Sequence, residues 1–296
     1  MSPLKGVVVP AITPVDAQDS VDCEAFGRGL ERLVSSGVHG IFVGGSAGEG
    51  PLLTGSEWRR MVETAHGVVG GRLPLLGGVM DTSTRRVLDK VAVLRKLGYR
   101  YAVLTPTFYL TTAAASEHLR LFAAAREAAG DMELVAYNIP SCTGSVLAPD
   151  TVLELARRGW VRCCKDSSGD LPAVMDLIRR GRELGLSVLA GDERTAGETL
   201  LAGAAGIVPV CANYEPETFV ALYKAGTSGD RETVERLVRR VAELRNALLL
   251  AGPCWISGLK YAVSQLGIGS GAVVSPLEPA NEAQRLAVRK LMTEAD

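Results

Sequence analysis

The chain has 296 residues, a formal net charge of -1 and 47% hydrophobic residues. A chain of this length forms two average domains or one large α/β barrel, because such barrels commonly have about 250 residues. The even mixture of acidic and basic residues excludes a basic stripe for nucleic acid and an acidic tail, so we expect a small-molecule partner.

The sequence lacks the signals of membrane, disulfide-rich and metal proteins. No apolar run reaches the roughly 18 residues of a membrane span, and the N-terminus enters a strand without the apolar core of a signal peptide. The six cysteines form no C-x-x-C pair, and the three histidines fall in separate elements without metal-ligand spacing. We therefore expect a cytoplasmic protein with no membrane partner, no metal and no cofactor.

Short apolar runs alternate with amphipathic stretches along the chain. Strands are predicted at residues 6–12, 40–43, 75–79, 101–104, 134–137, 161–165, 187–190 and 206–210. Helices are predicted at residues 22–35, 56–69, 83–97, 116–129, 149–158, 171–184, 195–202 and 216–225. Eight strands, each followed by a helix, predict a closed (β/α)8 TIM barrel of parallel strands over residues 1–225.

Local signals support these boundaries. Thr54 and Glu57 have the spacing of a capping box at the second helix, while Gly98, Gly159 and Gly185 end helices just before strands. Residues 226–296 predict a helical extension packed on the barrel, with helices at 230–251, 256–265 and 281–293. We expect no catalytic group there, and Lys260 to serve packing or a helix-surface ion pair.

The ends of the predicted strands carry the groups that indicate chemistry, because TIM-barrel sites lie at that face. Lys165 closes the apolar run 160–164, and its partial desolvation favours the neutral amine that a carbonyl substrate needs. Tyr137 ends the neighbouring fifth strand. Residues 44–50 form a glycine-rich loop after the second strand, and successive amides in such a turn predict an anion-binding concavity.

Three motifs carry a resemblance to a known family. They are Gly45-Ser46-Ala47-Gly48-Glu49, Tyr137-Asn-Ile-Pro, and Lys165-Asp-Ser-Ser-Gly-Asp, with Tyr137 and Lys165 28 positions apart. In order and spacing they resemble the dihydrodipicolinate synthase and N-acetylneuraminate lyase family, the pyruvate-dependent class I aldolases. The resemblance covers essentially the whole chain, and it implies a homotetramer built as a dimer of dimers.

The resemblance implies roles for these residues. Lys165 would form an imine with the C2 ketone of pyruvate or another 2-oxo acid, Tyr137 would move protons, and the Ser46 hydroxyl would hydrogen-bond Tyr137. The amides around Ala47 and Gly48 would bind the substrate carboxylate. Further expectations place Val208 beside the pyruvyl group and make Glu49 a structural acceptor that holds the turn.

Departures from the family pattern bear on the substrate. Dihydrodipicolinate synthases have an arginine where this chain has Cys142, and a thiol does not replace a bidentate guanidinium. Ala47 replaces a second hydroxyl residue. In the family, a neighbouring subunit contributes a tyrosine to the proton relay, and an ungapped match places Phe108 of this chain at that position. Either the proton relay is altered here, or the loop shifts Tyr109 into place.

The sequence therefore predicts a Schiff-base lyase that joins or cleaves pyruvate and an aldehyde, with a 2-keto-3-deoxy sugar acid as one possible adduct. Asp192 and Glu193 are expected as exposed loop carboxylates, which would either accept hydrogen bonds from the hydroxyls of a neutral aldehyde or remain solvated or cap a helix. The alternatives are a 2-oxo acid dehydratase, a dihydrodipicolinate synthase-like condensation and, from another class, a non-catalytic ligand-binding paralogue.

Overall fold

The structure is a computed structural model that describes residues 4–249 and 254–293. Within these residues, eight parallel strands close into a barrel in the order of the chain, with β1 paired to both β2 and β8. The strands are β1 (Gly6–Pro10), β2 (Gly40–Val43), β3 (Leu75–Gly78), β4 (Tyr101–Leu104), β5 (Glu133–Asn138), β6 (Val161–Asp166), β7 (Ser187–Ala190) and β8 (Gly206–Ile207). The predicted (β/α)8 barrel is confirmed.

Helices surround the barrel and cover the outer face of every strand. They are α1 (Cys23–Ser35), α2 (Gly55–Val69), α3 (Thr84–Leu97), α4 (Ala115–Ala129), α5 (Pro140–Thr143), α6 (Pro149–Arg157), α7 (Leu171–Gly181), α8 (Ala196–Leu201), α9 (Pro216–Ser228), α10 (Arg231–Leu249), α11 (Trp255–Ser264) and α12 (Glu282–Thr293). In this part of the chain, no helix is long and apolar enough to cross a membrane.

The apolar side chains form two clusters that match the two faces of the strands. The larger cluster lies between the strands and the helices. The smaller one fills the barrel and includes Phe42, Tyr101, Tyr137, Leu189 and Val208. Because both faces of the parallel sheet are covered, the strands are apolar runs without strict alternation.

Several boundaries differ from the sequence predictions for identifiable reasons. β8 ends at Ile207 because Pro209 has no N–H to continue the ladder. β1 ends at Pro10, and the backbone N–H of Ile12 donates to Asn213 Oδ1 instead of a strand partner. The one-turn helix α5 was not predicted, and residues 182–184 continue α7 as a 3₁₀ turn that ends at the left-handed Gly185.

The capping box at α2 is only half formed. Thr54 Oγ1 accepts from the backbone N–H of Glu57 at 3.3 Å, as expected for an N-cap. The Glu57 carboxylate does not return to the cap but accepts from the N–H of Val21 at 2.6 Å. Glu57 thus joins α2 to the segment after β1, a contact that local spacing does not reveal.

The helical extension follows the barrel directly. α10 packs against α9, α11 and α12, so the three final helices form one group on the barrel. The predicted division after residue 225 lies within α9, and we propose to place it in the turn at residues 229–230, where Gly229 has a φ of 77°. The predicted end of the first extension helix, residues 250 and 251, lies outside the described residues.

Candidate active site

Lys165 lies near the carboxyl end of β6 and points into the barrel mouth. Lys165 is 6% exposed. In the sheet it is paired with Tyr137 of β5 on one side and with Leu189 of β7 on the other. Among the described residues, no carboxylate forms an ion pair with its ammonium. The Lys165 amine is therefore not engaged in an ion pair, and it lies where a carbonyl substrate entering the mouth would meet it.

Aromatic rings surround the Lys165 amine. Its Nζ lies 4.0 Å from the centroid of the Tyr137 ring and 5.1 Å from that of Phe42. The two rings pack edge to face, with centroids 6.2 Å apart. This packing fixes Tyr137 against the lysine, one strand away, as the sequence order predicted. Val208 belongs to the same apolar cluster and is buried.

The glycine-rich loop at residues 44–50 has unpaired backbone donors. The backbone N–H groups of Ser46, Ala47 and Gly48 donate to no protein acceptor in the described ranges. Ala47 and Gly48 are buried, and an orphaned buried N–H indicates a ligand or water that accepts from it. The loop therefore has the donors that a carboxylate requires.

The loop owes its shape to close backbone contacts. A Cβ on Gly50 would lie 2.1 Å from the carbonyl oxygen of Gly44, and one on Gly48 would lie 2.8 Å from that of Ala11. Thr13 Oγ1 donates to the carbonyl of Gly48 at 2.8 Å. The expected hydrogen bond from Ser46 to Tyr137 is not among those formed by the described residues. Instead, Ser46 Oγ lies 4.0 Å from Cys142 Sγ, across the mouth.

A cavity of about 260 Å³, which we call the Cys142 cavity, opens beside this loop. Its polar lining consists of Ser46, Glu49, Thr105, Cys142 and Thr143, and the remaining lining is apolar. Its wall includes Pro51, Leu52, Met80, Phe108, Ile139 and Ile256. Cys142 is exposed on the one-turn helix α5, and its thiol lines this cavity.

The loop after β4 separates the two aromatic candidates. Phe108 is half-buried against the apolar cluster of the barrel and lines the Cys142 cavity. Tyr109 is 88% exposed, has a φ of 76°, and is followed by Leu110, which is 77% exposed. Tyr109, rather than Phe108, is therefore the residue that the loop projects away from its own barrel.

Asp192 and Glu193 lie after β7, but they are not the exposed carboxylates that the sequence suggested. Glu193 is buried; its Oε1 accepts from the N–H of Cys211 at 2.9 Å, and its Oε2 lies 3.4 Å from Arg245. Burial raises the pKa of Glu193 despite these partners. Burial opposes ionisation of Asp192 too, yet the contacts of Arg194 hold the pKa of Asp192 below its usual value.

These two carboxylates line a second cavity of about 220 Å³, the Glu193 cavity. Arg194 pairs with Asp192, and Arg245 pairs with Glu193. The wall of the cavity therefore contains both hydrogen-bond donors and acceptors, and its charges balance. Ser167 and Gly191 connect the cavity to the lysine. The prediction that Asp192 and Glu193 bind substrate stays a prediction, but both are placed beside the mouth.

Three residues that support the site were not singled out from the sequence. A Cβ on Gly191 would lie 2.9 Å from Lys165 Cε and 2.1 Å from Ser167 Oγ, so only glycine lets β7 end beside the lysine. Asn138 Nδ2 donates to Asp166 Oδ2 at 2.7 Å and ties β5 to β6. Their signal was positional, because Asn138 and Asp166 directly follow Tyr137 and Lys165.

The arrangement resembles known proteins along its whole length. The sequence model of the Dihydrodipicolinate synthetase family matches residues 3–295. An uncharacterized DapA-like lyase of Halobacterium salinarum is 37% identical over 287 residues, which cover 96% of this chain and 92% of that protein. A 4-hydroxy-tetrahydrodipicolinate synthase of Methanoculleus marisnigri is 32% identical over 97% of this chain and 98% of its own.

The fold of the chain is also similar to that of a solved structure of this family. The structure of dihydrodipicolinate synthase from Bacteroides thetaiotaomicron superposes with a TM-score of 0.93 at 29% sequence identity. The match covers 99% of this chain and 100% of that chain.

Proposed function

Because the chain belongs to the dihydrodipicolinate synthetase family, whose members are lyases of the pyruvate-dependent class I aldolase type, we propose that it cleaves or forms a 2-oxo acid through an imine on Lys165. The observation that carries this proposal is the unpaired, buried amine of Lys165 beside the Tyr137 ring. The orphaned amides of the glycine-rich loop supply the site for the carboxylate of the same substrate.

The chemistry follows from these positions. The neutral Lys165 amine adds to the C2 ketone, and Tyr137 donates the proton with which the carbinolamine oxygen leaves as water. The iminium accepts the electron pair of the C3–C4 bond, while the Tyr137 phenolate takes the proton of the C4 hydroxyl and the aldehyde departs. Protonation at C3 and hydrolysis of the imine release pyruvate and restore the amine.

The shape and charge of the mouth favour a neutral aldehyde. A guanidinium that grips a carboxylate contributes about 1.5 to 3 kcal/mol, and Cys142 offers no such group to the Cys142 cavity. Arg194 and Arg245 in the Glu193 cavity are already neutralised by Asp192 and Glu193. Hydroxyl groups of a sugar-like aldehyde would find both donors and acceptors there, so a 2-keto-3-deoxy sugar acid is the adduct that we propose.

Assembly into a homotetramer is part of the same proposal. Tyr109 and Leu110 project from the loop after β4, and Leu52 and Val146 are also large exposed apolar side chains. The backbone N–H of Thr112 donates a hydrogen bond to Ser145 Oγ at 2.9 Å, which holds the loop after β4 close to the segment that carries Val146. A second copy that covers these side chains would receive Tyr109 near its own mouth. A cytoplasmic location stays a prediction from the sequence.

The test is borohydride trapping in the presence of pyruvate, followed by mass mapping. We expect one three-carbon adduct on Lys165, and none in Lys165→Ala. An adduct on Lys260 instead would contradict the assignment. Product analysis separates the alternatives, because only cleavage releases pyruvate and a dehydratase retains all carbons. Ligand binding without turnover of any 2-oxo acid would indicate the non-catalytic paralogue.

The aldehyde is identified by a panel that compares kcat/KM for aspartate semialdehyde and for neutral aldehydes in the wild type and in Cys142→Arg. Loss of one charge-assisted hydrogen bond should lower the kcat/KM of the wild type for the semialdehyde by roughly one to two orders of magnitude. Cys142→Arg should recover part of this kcat/KM. A wild type that prefers the semialdehyde would refute the argument from Cys142.

A further inference from the structure

Glu49, at the end of the glycine-rich loop, is held by the helical extension. Its side chain is fully buried, and Oε1 accepts from Lys260 Nζ of α11 at 2.5 Å. Oε2 accepts from the backbone N–H of Val274 at 2.7 Å. Both oxygens are therefore occupied by partners more than 200 residues away in the chain, and the Glu49 carboxylate is committed to structure.

The backbone of Glu49 also requires support from outside the loop. Its φ is 54°, in the left-handed region, which costs a residue with a side chain roughly 1 to 2 kcal/mol. Such a conformation persists when the surroundings determine it. Within the loop, Glu49 N–H donates to the carbonyl of Ser46 at 3.1 Å. A shift of Glu49 would therefore be transmitted to Ser46 and to the orphaned amides beside it.

Stability alone does not account for this pair. The Lys260 side chain is 1% exposed, and burial of a lysine and a carboxylate is costly enough that apolar residues of similar size often serve as well. What an apolar pair lacks is direction, because only a hydrogen-bonded charge pair sets the distance and orientation between α11 and the loop. Glu49 directly follows Gly48, whose N–H is orphaned, so the orientation that the pair imposes also acts on the amides that we propose to bind the carboxylate.

We infer that Lys260 and Glu49 are positioning residues through which the helical extension holds the glycine-rich loop in its carboxylate-binding geometry. This inference rests on the proposed function, since it concerns how the 2-oxo acid is bound. It assigns the extension a role in substrate binding, whereas the sequence offered only packing or a surface ion pair for Lys260. The pair is buried and crosses between the barrel and the extension.

Lys260→Met is the primary variant, and Arg240→Met is its matched control. Arg240 of α10 pairs with Glu215 at 2.8 Å, so it also joins the extension to the barrel, and neither residue lines the Cys142 cavity or the Glu193 cavity. Two readouts are compared: hydrogen exchange of the Glu49 and Gly50 amides, which donate to the carbonyls of Ser46 and Gly45 within the loop, and KM against kcat for the 2-oxo acid. Both variants are first checked for folding by circular dichroism.

We expect Lys260→Met to speed exchange of the loop amides and raise KM about 10-fold, the effect of about one weakened charge-assisted hydrogen bond, with kcat changed much less. Arg240→Met should leave both readouts at wild-type values. Unchanged exchange and KM in folded Lys260→Met would overturn the inference.

The double variant Glu49→Gln/Lys260→Met guards against loss of folding, because it leaves no unpaired buried charge. We expect it to fold and to show the same faster exchange and raised KM, and wild-type values in it would also overturn the inference. If the wild type forms no imine with any 2-oxo acid, the proposed function fails, and loop exchange still decides whether Lys260 holds the loop.

Discussion

Lys165 and Lys260 are both buried lysines, and their neighbours give them different roles. Lys260 is bound to Glu49, and although burial lowers the pKa of Lys260, the carboxylate beside it counteracts this by favouring the charged form. Lys165 has aromatic rings around its amine and, among the described residues, no ion-pair partner. Lys260 is committed to an ion pair inside the protein, whereas Lys165 lies at the mouth without one, so the two environments separate the proposed nucleophile from the structural lysine.

Tyr137→Phe should leave the fold intact and lower kcat by roughly 10² to 10⁴, the range for loss of a general acid-base group. The ring contacts with Lys165 and Phe42 are kept in this variant, so packing is conserved. Tyr99→Phe is the control, because Tyr99 donates a buried hydrogen bond to the carbonyl of Val62 and lies outside the site. Near wild-type turnover in Tyr137→Phe would reduce Tyr137 to a packing residue.

Gly191→Ala should slow imine formation, because its Cβ would press on Lys165 Cε and Ser167 Oγ. Overpacking should also lower the free energy of unfolding by about 1 to 3 kcal/mol. In the control Gly77→Ala the new Cβ would meet Leu94 Cδ1 at 2.5 Å, on the outer side of the barrel. Urea unfolding and the rate of pyruvate trapping are measured on both variants, and normal trapping in Gly191→Ala would disprove the close-approach argument.

At the scale of elements, the end of β7 and helix α10 meet in a buried polar network. Glu193 of the turn after β7 binds the N–H of Cys211 and lies beside Arg245 of α10. The neighbouring Asp192 caps the same 3₁₀ turn and pairs with Arg194. The turn thus carries two carboxylates whose pKa values are displaced in opposite directions.

This network predicts a pH dependence of stability. Because burial raises the pKa of Glu193 above its ordinary value of 4.5, the folded state binds the proton more tightly than the unfolded state. The resulting stabilisation is fully present below pH 4.5 and is lost as pH rises through the folded pKa, by at most about 1.4 kcal/mol per pH unit.

Glu193→Gln should remove this decline when the free energy of unfolding is measured by urea titration from acid to neutral pH. Asp192→Asn provides the opposite sign, because a lowered pKa contributes stability that is present above the unfolded value and lost as pH falls. An unchanged pH profile in Glu193→Gln would show that the carboxyl group of Glu193 titrates alike in both states.

At the scale of the whole molecule, the helical extension forms part of the mouth. α11 contributes Ile256 to the Cys142 cavity and Trp255 to the Glu193 cavity, and α10 contributes Arg245. With the Lys260–Glu49 pair, the extension therefore contacts the site from several directions. Without the extension, both cavities would lose these parts of their walls.

Light scattering at micromolar concentration should show a species larger than a monomer. Tyr109→Ser/Leu110→Ser should shift it toward smaller species and reduce turnover, because it removes two large exposed apolar side chains beside the mouth. Leu286→Ser, which changes an exposed leucine on α12, is the control and should alter neither property. A wild type that is monomeric and fully active would contradict the proposed assembly.

Much of the architecture could be read from local sequence. Apolar runs of strand length, helical periodicity and glycine stops placed the strands and helices within a few residues, because these signals depend on neighbours in the chain. The strand-end positions of Lys165 and Tyr137 identified the mouth for the same reason. The end of β8 and the capping box at Thr54 were predicted less accurately. Strand pairing of β8 stops at Ile207, before Pro209. The Glu57 carboxylate accepts from the N–H of Val21, which is distant in the chain, instead of completing the capping box.

The contacts that tune the site could not be read in this way. Packing of the closed barrel against the extension produces the contact between Glu49 and Lys260, which are 211 positions apart in the chain. It also produces the burial of Glu193 beside α10 and the approach of Gly191 to Lys165. A carboxylate in a loop has the same sequence pattern whether it is solvated or buried. Its surroundings are set by elements that are distant in the chain, so only the folded molecule specifies what those side chains do.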